Sequence, residues 1–339
     1  TNNVTENPDY DGVKFFQFYN NIFGGKSKIL AGLRYVIGSV FSLIHAKFSG
    51  VNICHFHLFH VNVLVFFDFI LSKVLGMKVV YTIHDVVSFE NTRSNDRLSN
   101  WIYKRANKII THNKFSKEIF RAHYKNINTE IDIIPHGNYV PFLEVKEDKK
   151  LSRNYLRIPQ EKKVLLFFGM IKKVKGLEVL LQAMKKVIAN NSDVFLVIAG
   201  RVWENDFSIY QKIINDNNLS DYCLIHNKFI PHEDVNHYYA SSDLIVLPYK
   251  RIYQSGVLMM SMSYEKAVIV SDLPPLIDVV EDMKTGFVFE SENSESLSEK
   301  LNRILSDTNK LEEVRIEGSN HIKSKYDWLE IGKEMKKSY

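Results

Sequence analysis

KVLLFFGMIKKVKGLEVLLQAMKKVIANNSDVFLVIAG, residues 163–200, is the stretch whose reading decides the fold. Its opening, KVLLFFG (163–169), is a short apolar run ended by glycine, the pattern of a strand buried on both faces. From Gly176 to Ala189 the apolar residues recur at helical spacing, and VFLVIAG (194–200) repeats the first pattern. Strand, turn, helix, strand is one βαβ unit, which requires a parallel sheet carrying helices on its faces.

The same alternation continues toward the C-terminus. A helix is expected over Phe207–Asn217, a strand at CLIHNKF (223–229), a helix over Asp234–Ala240 and a strand at DLIVLPY (243–249). Then come a helix over Gly256–Tyr264 and strands at AVIVSD (267–272) and TGFVFE (285–290); Ser294–Tyr339 reads as mostly helical and amphipathic. Upstream, Glu144–Lys163 (EVKEDKK, with Pro159) reads as a charged linker with a short helix. Before it lie expected strands at Val13–Tyr19, 51–59, 78–85, 108–113 and 131–137. Between them fall helices over Lys26–Lys47, up to about Leu75, over Asn95–Ala106, and a short one capped by Ser116. The fold class is therefore α/β, two Rossmann-like doubly wound domains, 1–145 and 160–320. In such sheets ligands bind beyond the carboxyl ends of the strands, and the expected site is a cleft between two facing sheets. A first strand, Gly-rich loop and helix are expected to lie outside the residues given, with Gly24-Gly25 a weak substitute for the loop.

Composition bounds the rest. The 339 residues, 45% hydrophobic and 24% charged, are too many for one small core, and 12% aromatics exclude a disordered chain. Two cysteines, Cys54 and Cys223, cannot make a disulfide framework or a Cys-rich zinc site, which favours a reducing compartment. The most apolar stretch, Val51–Leu75, is broken by His55, His57, His60, Asp68 and Ser72, so no span reads as a transmembrane helix; the polar opening is not a signal peptide, and a cytoplasmic protein is expected. The net charge of +5 sits entirely in residues 1–145, which suits an anionic partner or surface as well as chance asymmetry.

Motifs exclude several chemistries. There is no GxGxxG, no GxxxxGK[ST], no GxSxG elbow and no HExxH helix. The DYD triplet (9–11) looks like a metal-binding acidic motif but precedes any strand and is set aside; no metal is expected. Basic residues are scattered, which argues against nucleic acid. What remains is a turn, FFGMIKKVKG (167–176), that brings Lys172, Lys173 and Lys175 to a strand-to-helix junction. Lysines beside a helix N-terminus suit a diphosphate, although a solvated basic turn has the same composition. Ser255-Gly256 opens another helix after a strand, as an anion-binding end or an ordinary N-cap. Eight of the twelve histidines precede residue 145, and His84 closes a buried strand. His55 and His57 alternate, so they share a face; with His112 they read equally as core residues.

FFGMIKKVKGLEVLLQAM (167–184), LVIAG (196–200), NKFIPHEDVNHYYASSDLIVLPY (227–249) and the run from Tyr253 to Phe289 resemble, in order and spacing, the retaining glycosyltransferases of family four. TIHD (82–85), IIPHG (133–137) and the closing segment Lys325–Tyr339 resemble them as well. The resemblance implies the GT-B architecture, with a C-terminal helix, 321–339, crossing back to the first domain. It implies a nucleoside-diphosphate sugar, UDP- or GDP-linked, as substrate and no cofactor. Lys172 and Lys175 would hold the diphosphate, Met170 being the other alignment for the family's arginine. His84 would contact the transferred sugar, and Phe229 and Ile230 the base. Gly169, Arg201, Tyr253, Ser255, Gly256 and Val257 would complete the donor site, and His57 and His136 would meet the acceptor. His84, Lys172 and Lys175 are the expected catalytic residues. The family's paired glutamates are missing: those positions hold Tyr253 and Ser261, or Ile252 and Met260 in the other register. The implied acceptor is a glycan or a polyprenyl-diphosphate-linked glycan at the inner face of the plasma membrane. For the helix Lys26–Lys47, packing on the sheet is the plainer reading and peripheral contact with anionic lipid the other. An inverting GT-B transferase, a sugar-nucleotide epimerase and a non-catalytic nucleotide-sugar-binding subunit are the competing functions.

Overall fold

In the computed structural model, which describes residues 12–19, 22, 27–87, 96–143, 147–203 and 206–339, every strand pairs in parallel, in two sheets. The chain divides into two units: Thr1–Ile134 with Met335–Tyr339, and Pro135–Glu334.

Unit 1 runs α1 (Lys28–Phe48), β1 (Ile53–Leu58), α2 (Val63–Val74), β2 (Lys78–Ile83), α3 (Asp96–Arg105), β3 (Lys108–Thr111), α4 (Lys114–His123) and β4 (Ile131–Ile133). The strands lie in the order β1-β2-β3-β4, so each crossover steps in the same direction. Side chains start the helices: Asn62 Oδ1 accepts from the Leu64 and Val65 amides, and Asn113 Oδ1 accepts from the Ser116 amide. The cap of α4 is thus Asn113, and Ser116, expected to cap, is the capped residue; a short amide side chain satisfies a free N–H as well as a hydroxyl does.

Val13–Tyr19 departs from expectation, since no strand forms over 14–19. Its aromatics pack on α1 instead, the Phe16 and Phe18 rings 4.3 and 5.3 Å from His45 and Tyr19 OH 3.2 Å from Ser39 Oγ. A β-carbon on Gly38 would stand 2.7 Å from the Tyr19 ring, so this glycine makes room for the segment. The DYD triplet and Gly24-Gly25 lie outside the described residues. Among the described residues one helix, α1, is long and apolar enough to cross a membrane by length and composition, contrary to the reading that no span is. In sequence Lys28, Arg34 and Lys47 break up the apolar run of α1, and in the fold its Ile29, Leu33, Phe41 and Phe48 lie exposed.

Unit 2 contains α5 (Lys149–Leu156), β5 (Lys163–Phe168), α6 (Leu177–Asn190), β6 (Val194–Ala199), α7 (Ser208–Asp216), β7 (Cys223–His226), α8 (His232–Ser241) and β8 (Leu244–Leu247). It continues with α9 (Gly256–Ser263), β9 (Ala267–Ser271), α10 (Pro274–Ile277), β10 (Phe287–Phe289), α11 (Ser294–Ser306), α12 (Thr308–Lys325) and α13 (Trp328–Ser338), whose residues from Met335 on belong to unit 1. The sheet order is β10-β9-β8-β5-β6-β7, so winding reverses between β5 and β8. Alternate residues of β5 enter different cores: Leu165 and Phe167 pack with α6, α7 and α11, Val164 and Leu166 with α5, α8 and α9. Burial on both faces is why these strands read as unbroken apolar runs.

The charged stretch before β5 holds the expected short helix, α5, and that helix is tied into the sheet rather than merely linking. Asp148 caps α5 through the Leu151 amide, and Leu156 and Ile158 enter the core. Arg153, 3% exposed, donates to Asp243 Oδ2 at 2.9 Å and to the Ser241 carbonyl, while Asp243 also accepts from Lys149 and from the Val164 amide. A buried guanidinium bonded through each of its three nitrogens looks in sequence like a solvated charge.

Candidate functional site

The reversal of winding leaves two loops side by side beyond the carboxyl ends of β5 and β8, the position where open α/β sheets bind ligands. The first runs from Gly169 to Gly176 and the second from Pro248 to Ser255. They are tied together. The Lys250 amide donates to the Val174 carbonyl at 2.9 Å, and Gly176, at φ +65°, lies against Pro248: a β-carbon there would be 1.9 Å from the Pro248 oxygen. A second close approach joins β5 to β6, where a β-carbon on Gly200 (φ +148°) would be 1.9 Å from the Gly169 oxygen. Both positions need glycine for backbone angle and for space. The Ile171 amide donates to the Arg201 carbonyl and the Trp203 amide to the Ile171 carbonyl, fixing the lysine turn against the segment after β6.

Two lysines of this turn lie on aromatic faces. Lys175 Nζ is 3.6 Å from the centre of the Tyr249 ring and Lys172 Nζ 5.2 Å from that of Trp203. The ring quadrupole attracts each ammonium, and the long stem is held in a defined direction. Beside them opens a pocket of about 310 Å³ lined by Phe168, Gly169, Met170, Gly200, Arg201, Trp203, Phe229, Ile230 and Val235. Its walls are mostly apolar, and the side chains of Trp203 and Phe229 are exposed.

Of the residues named from sequence, Gly169, Arg201, Phe229 and Ile230 line this pocket, and Lys172 reaches its Trp203 wall. Val257 stands beside Gly169, its Cγ2 3.2 Å from where a Gly169 β-carbon would lie. Ser255 Oγ accepts from the Leu258 amide at 3.1 Å, so its hydroxyl caps α9. Tyr253 is 2% exposed. Ser261, at a missing-glutamate position, is wholly buried and donates to the Val257 carbonyl at 2.6 Å. Tyr139 was passed over in sequence; its hydroxyl oxygen lies 3.1 Å from where a Gly256 β-carbon would sit, and burial raises its pKa. Trp203 was also passed over, although RVW directly follows the glycine that ends β6.

In unit 1, His57 and His84 come together: His57 Nδ1 is 3.0 Å from His84 Nε2. His84 Nδ1 is in turn 3.1 Å from His112 Nε2, and the Phe59 ring stacks on His84 at 4.6 Å. His55 Nε2 is 2.7 Å from Thr82 Oγ1 and its Nδ1 2.7 Å from Tyr339 OH; burial, then the nearby His57, lowers its pKa to about 4. His136 belongs to unit 2, where its ring stacks on Tyr139 at 5.6 Å and its Nδ1 is 2.7 Å from the Gly137 carbonyl oxygen.

Comparison with known proteins gives the lineage. The family model for glycosyl transferases group 1 matches residues 148–321, just over half of the chain, and that for glycosyltransferase family 4 matches residues 8–138. Among curated relatives are the spore coat protein SA of Bacillus subtilis, 26% identical over 52% of this chain and 48% of that protein. The capsular polysaccharide biosynthesis glycosyltransferase CapM of Staphylococcus aureus is 24% identical over 57% and 50%. The chain spans about half the length of these relatives. Among solved structures, Anabaena Alr3699/HepE in complex with UDP-glucose superposes with TM-score 0.74 at 16% identity, covering 89% of this chain and 81% of that one. Sucrose-phosphate synthase of Thermosynechococcus elongatus gives 0.72 at 19%, covering 92% and 78%, a likeness of fold. With two parallel-sheet Rossmann-like units of the GT-B class, the chain belongs to the glycosyl transferases group 1.

Proposed function

We propose that the chain transfers a sugar from a nucleoside-diphosphate sugar to a hydroxyl of a glycan or lipid-linked glycan, with retention of anomeric configuration. The observation that carries this reading is the apolar, aromatic-walled pocket standing beside a two-lysine turn at the winding reversal of unit 2. A planar base suits the faces of Trp203 and Phe229; a diphosphate suits Lys172 and Lys175. HepE, the structural neighbour cited, is held with UDP-glucose, which favours this donor class, and CapM is named for capsular polysaccharide, which favours a glycan acceptor.

The difficult step is departure of the diphosphate. Lys172 and Lys175 carry fixed positive charge to where negative charge develops, and the first amides of α9 add to it, which is electrostatic preorganisation. The departing phosphate takes the acceptor proton. On the same reading His84 contacts the transferred sugar, and His57 and His136 the acceptor. The exposed apolar residues of α1, flanked by Lys28, Arg34 and Lys47, suit the surface of an anionic membrane bearing a polyprenyl-diphosphate-linked acceptor. Co-sedimentation with anionic but not neutral vesicles tests that contact.

A panel of nucleotide sugars, with the anomeric configuration of the product read by NMR, tests the reaction. Lys175→Ala is expected to lower kcat/KM at least tenfold, about 1.4 kcal/mol of transition-state stabilisation. Unchanged turnover at all donor concentrations, or an inverted product, overturns the proposal.

A further inference from the structure

The carboxyl edge of the unit 1 sheet carries one imidazole at each of its first three strands. His57 stands near the end of β1, His84 directly follows β2 and His112 directly follows β3. Their spacings in sequence, 27 and 28 residues, are one strand–helix–strand period each. Neighbouring ring centres are 5.3 and 4.8 Å apart, close to the distance of about 4.8 Å between adjacent strands. The sheet itself therefore sets the rings at bonding distance, and they form a ladder: His57 Nδ1 to His84 Nε2 at 3.0 Å, His84 Nδ1 to His112 Nε2 at 3.1 Å. The ladder ends just past β4, where His112 Nδ1 is 3.0 Å from the Ile134 carbonyl oxygen.

That carbonyl gives the ladder a direction. A carbonyl oxygen can only accept, so His112 Nδ1 must carry the proton. A neutral imidazole has one N–H, so His112 Nε2 is bare and accepts from His84 Nδ1–H. His84 Nε2 is then bare in turn and accepts from His57 Nδ1–H. One backbone oxygen thus fixes the tautomer of all three rings, and a chain of bonds pointing one way polarises each member.

We propose that His112 is a positioning residue: anchored to Ile134, it holds His84 as the Nδ1–H tautomer and presents His84 Nε2 as an acceptor on the side of His57. Nothing in the sequence near His112 sets it apart from a core histidine; only the register of β2 and β3 brings it to His84. The effect on catalysis rests on the proposed role of His84 at the transferred sugar, whereas the tautomer does not.

The test is 15N-histidine labelling of the full chain, with long-range 1H–15N correlation at pH 8 to assign tautomers. His57, His84 and His112 are expected as Nδ1–H forms. In His112→Phe, His84 loses its acceptor and shifts toward the Nε2–H form; in His57→Phe, His84 keeps Nδ1–H because the anchor remains. An Nε2–H signature for His84 in the unaltered protein overturns the proposal whatever the variants do. So does a shift in His57→Phe without one in His112→Phe. If transfer is observed, His112→Phe lowers kcat about tenfold with the donor KM unchanged; a tautomer shift without loss of kcat leaves the ladder standing and removes His84 from the chemistry.

Discussion

Replacing Gly176 with alanine tests the joint between the two loops at the heart of unit 2. Gly176 has φ +65°, and the new β-carbon would begin 1.9 Å from the Pro248 oxygen, where real β-carbons keep beyond 3.0 Å. The loops must therefore part by about 1.1 Å, and both contacting atoms belong to backbone. The left-handed conformation costs a non-glycine residue roughly 1–2 kcal/mol, and forcing atoms into packed space about 1–3 kcal/mol more. At about 2–4 °C per kcal/mol for a unit of this size, the thermal midpoint of unit 2 is expected to fall by roughly 4–20 °C. Gly76 supplies the comparison: its φ is +69°, yet a β-carbon there meets nothing within 4 Å, so Gly76→Ala should cost only the conformational part, about 1–2 kcal/mol. Hydrogen exchange at the Lys250 amide, bonded to the Val174 carbonyl, reports the joint directly and should accelerate in Gly176→Ala alone. Equal losses for the two substitutions, with Lys250 exchange unchanged, would refute the claim that these loops are locked together.

Further outcomes follow from other residues. Trp203→Ala removes a partly exposed stacking face and should weaken nucleotide binding by about 1–3 kcal/mol in calorimetry, with the melting temperature nearly unmoved; an unchanged Kd counts against the base pocket. Asp243→Ala leaves Arg153 buried without its carboxylate and should destabilise unit 2 by about 3–5 kcal/mol in urea titration. His55, held unprotonated down to about pH 4 when folded, gains a proton near pH 6.5 when unfolded. Between those values the unfolded state binds the extra proton, so its contribution is complete above pH 6.5 and is lost as pH falls toward 4. His55→Gln should flatten that slope, and an unaltered slope assigns the acid sensitivity elsewhere.

Much of unit 2 is legible because a strand buried on both faces leaves an unmistakable apolar run, as at Lys163–Phe168 and Leu244–Leu247. The lysine turn was legible as a turn because an apolar run ended by Gly169 precedes it and a helical period from Gly176 follows it. Where one residue type serves two environments, the reading failed. The aromatics of Val13–Tyr19 alternate as in a strand but lie on a helix, and the charges of Glu144–Lys163 conceal an arginine sunk in the core. Trp203 and Tyr139 escaped because their value lies in a neighbour distant in sequence: Lys172 for one, Gly256 for the other. The imidazole ladder is visible only once three strands are in register.

The helix α5 has a practical meaning for anyone dissecting the protein. A fragment cut where the charged stretch appears to end, at residue 160, would start with Asp243 stripped of both Arg153 and Lys149 and with the seats of Leu156 and Ile158 empty. Insolubility of such a fragment would report the position of the cut, and a starting point upstream of Asp148 keeps the N-terminal clasp of the sheet whole.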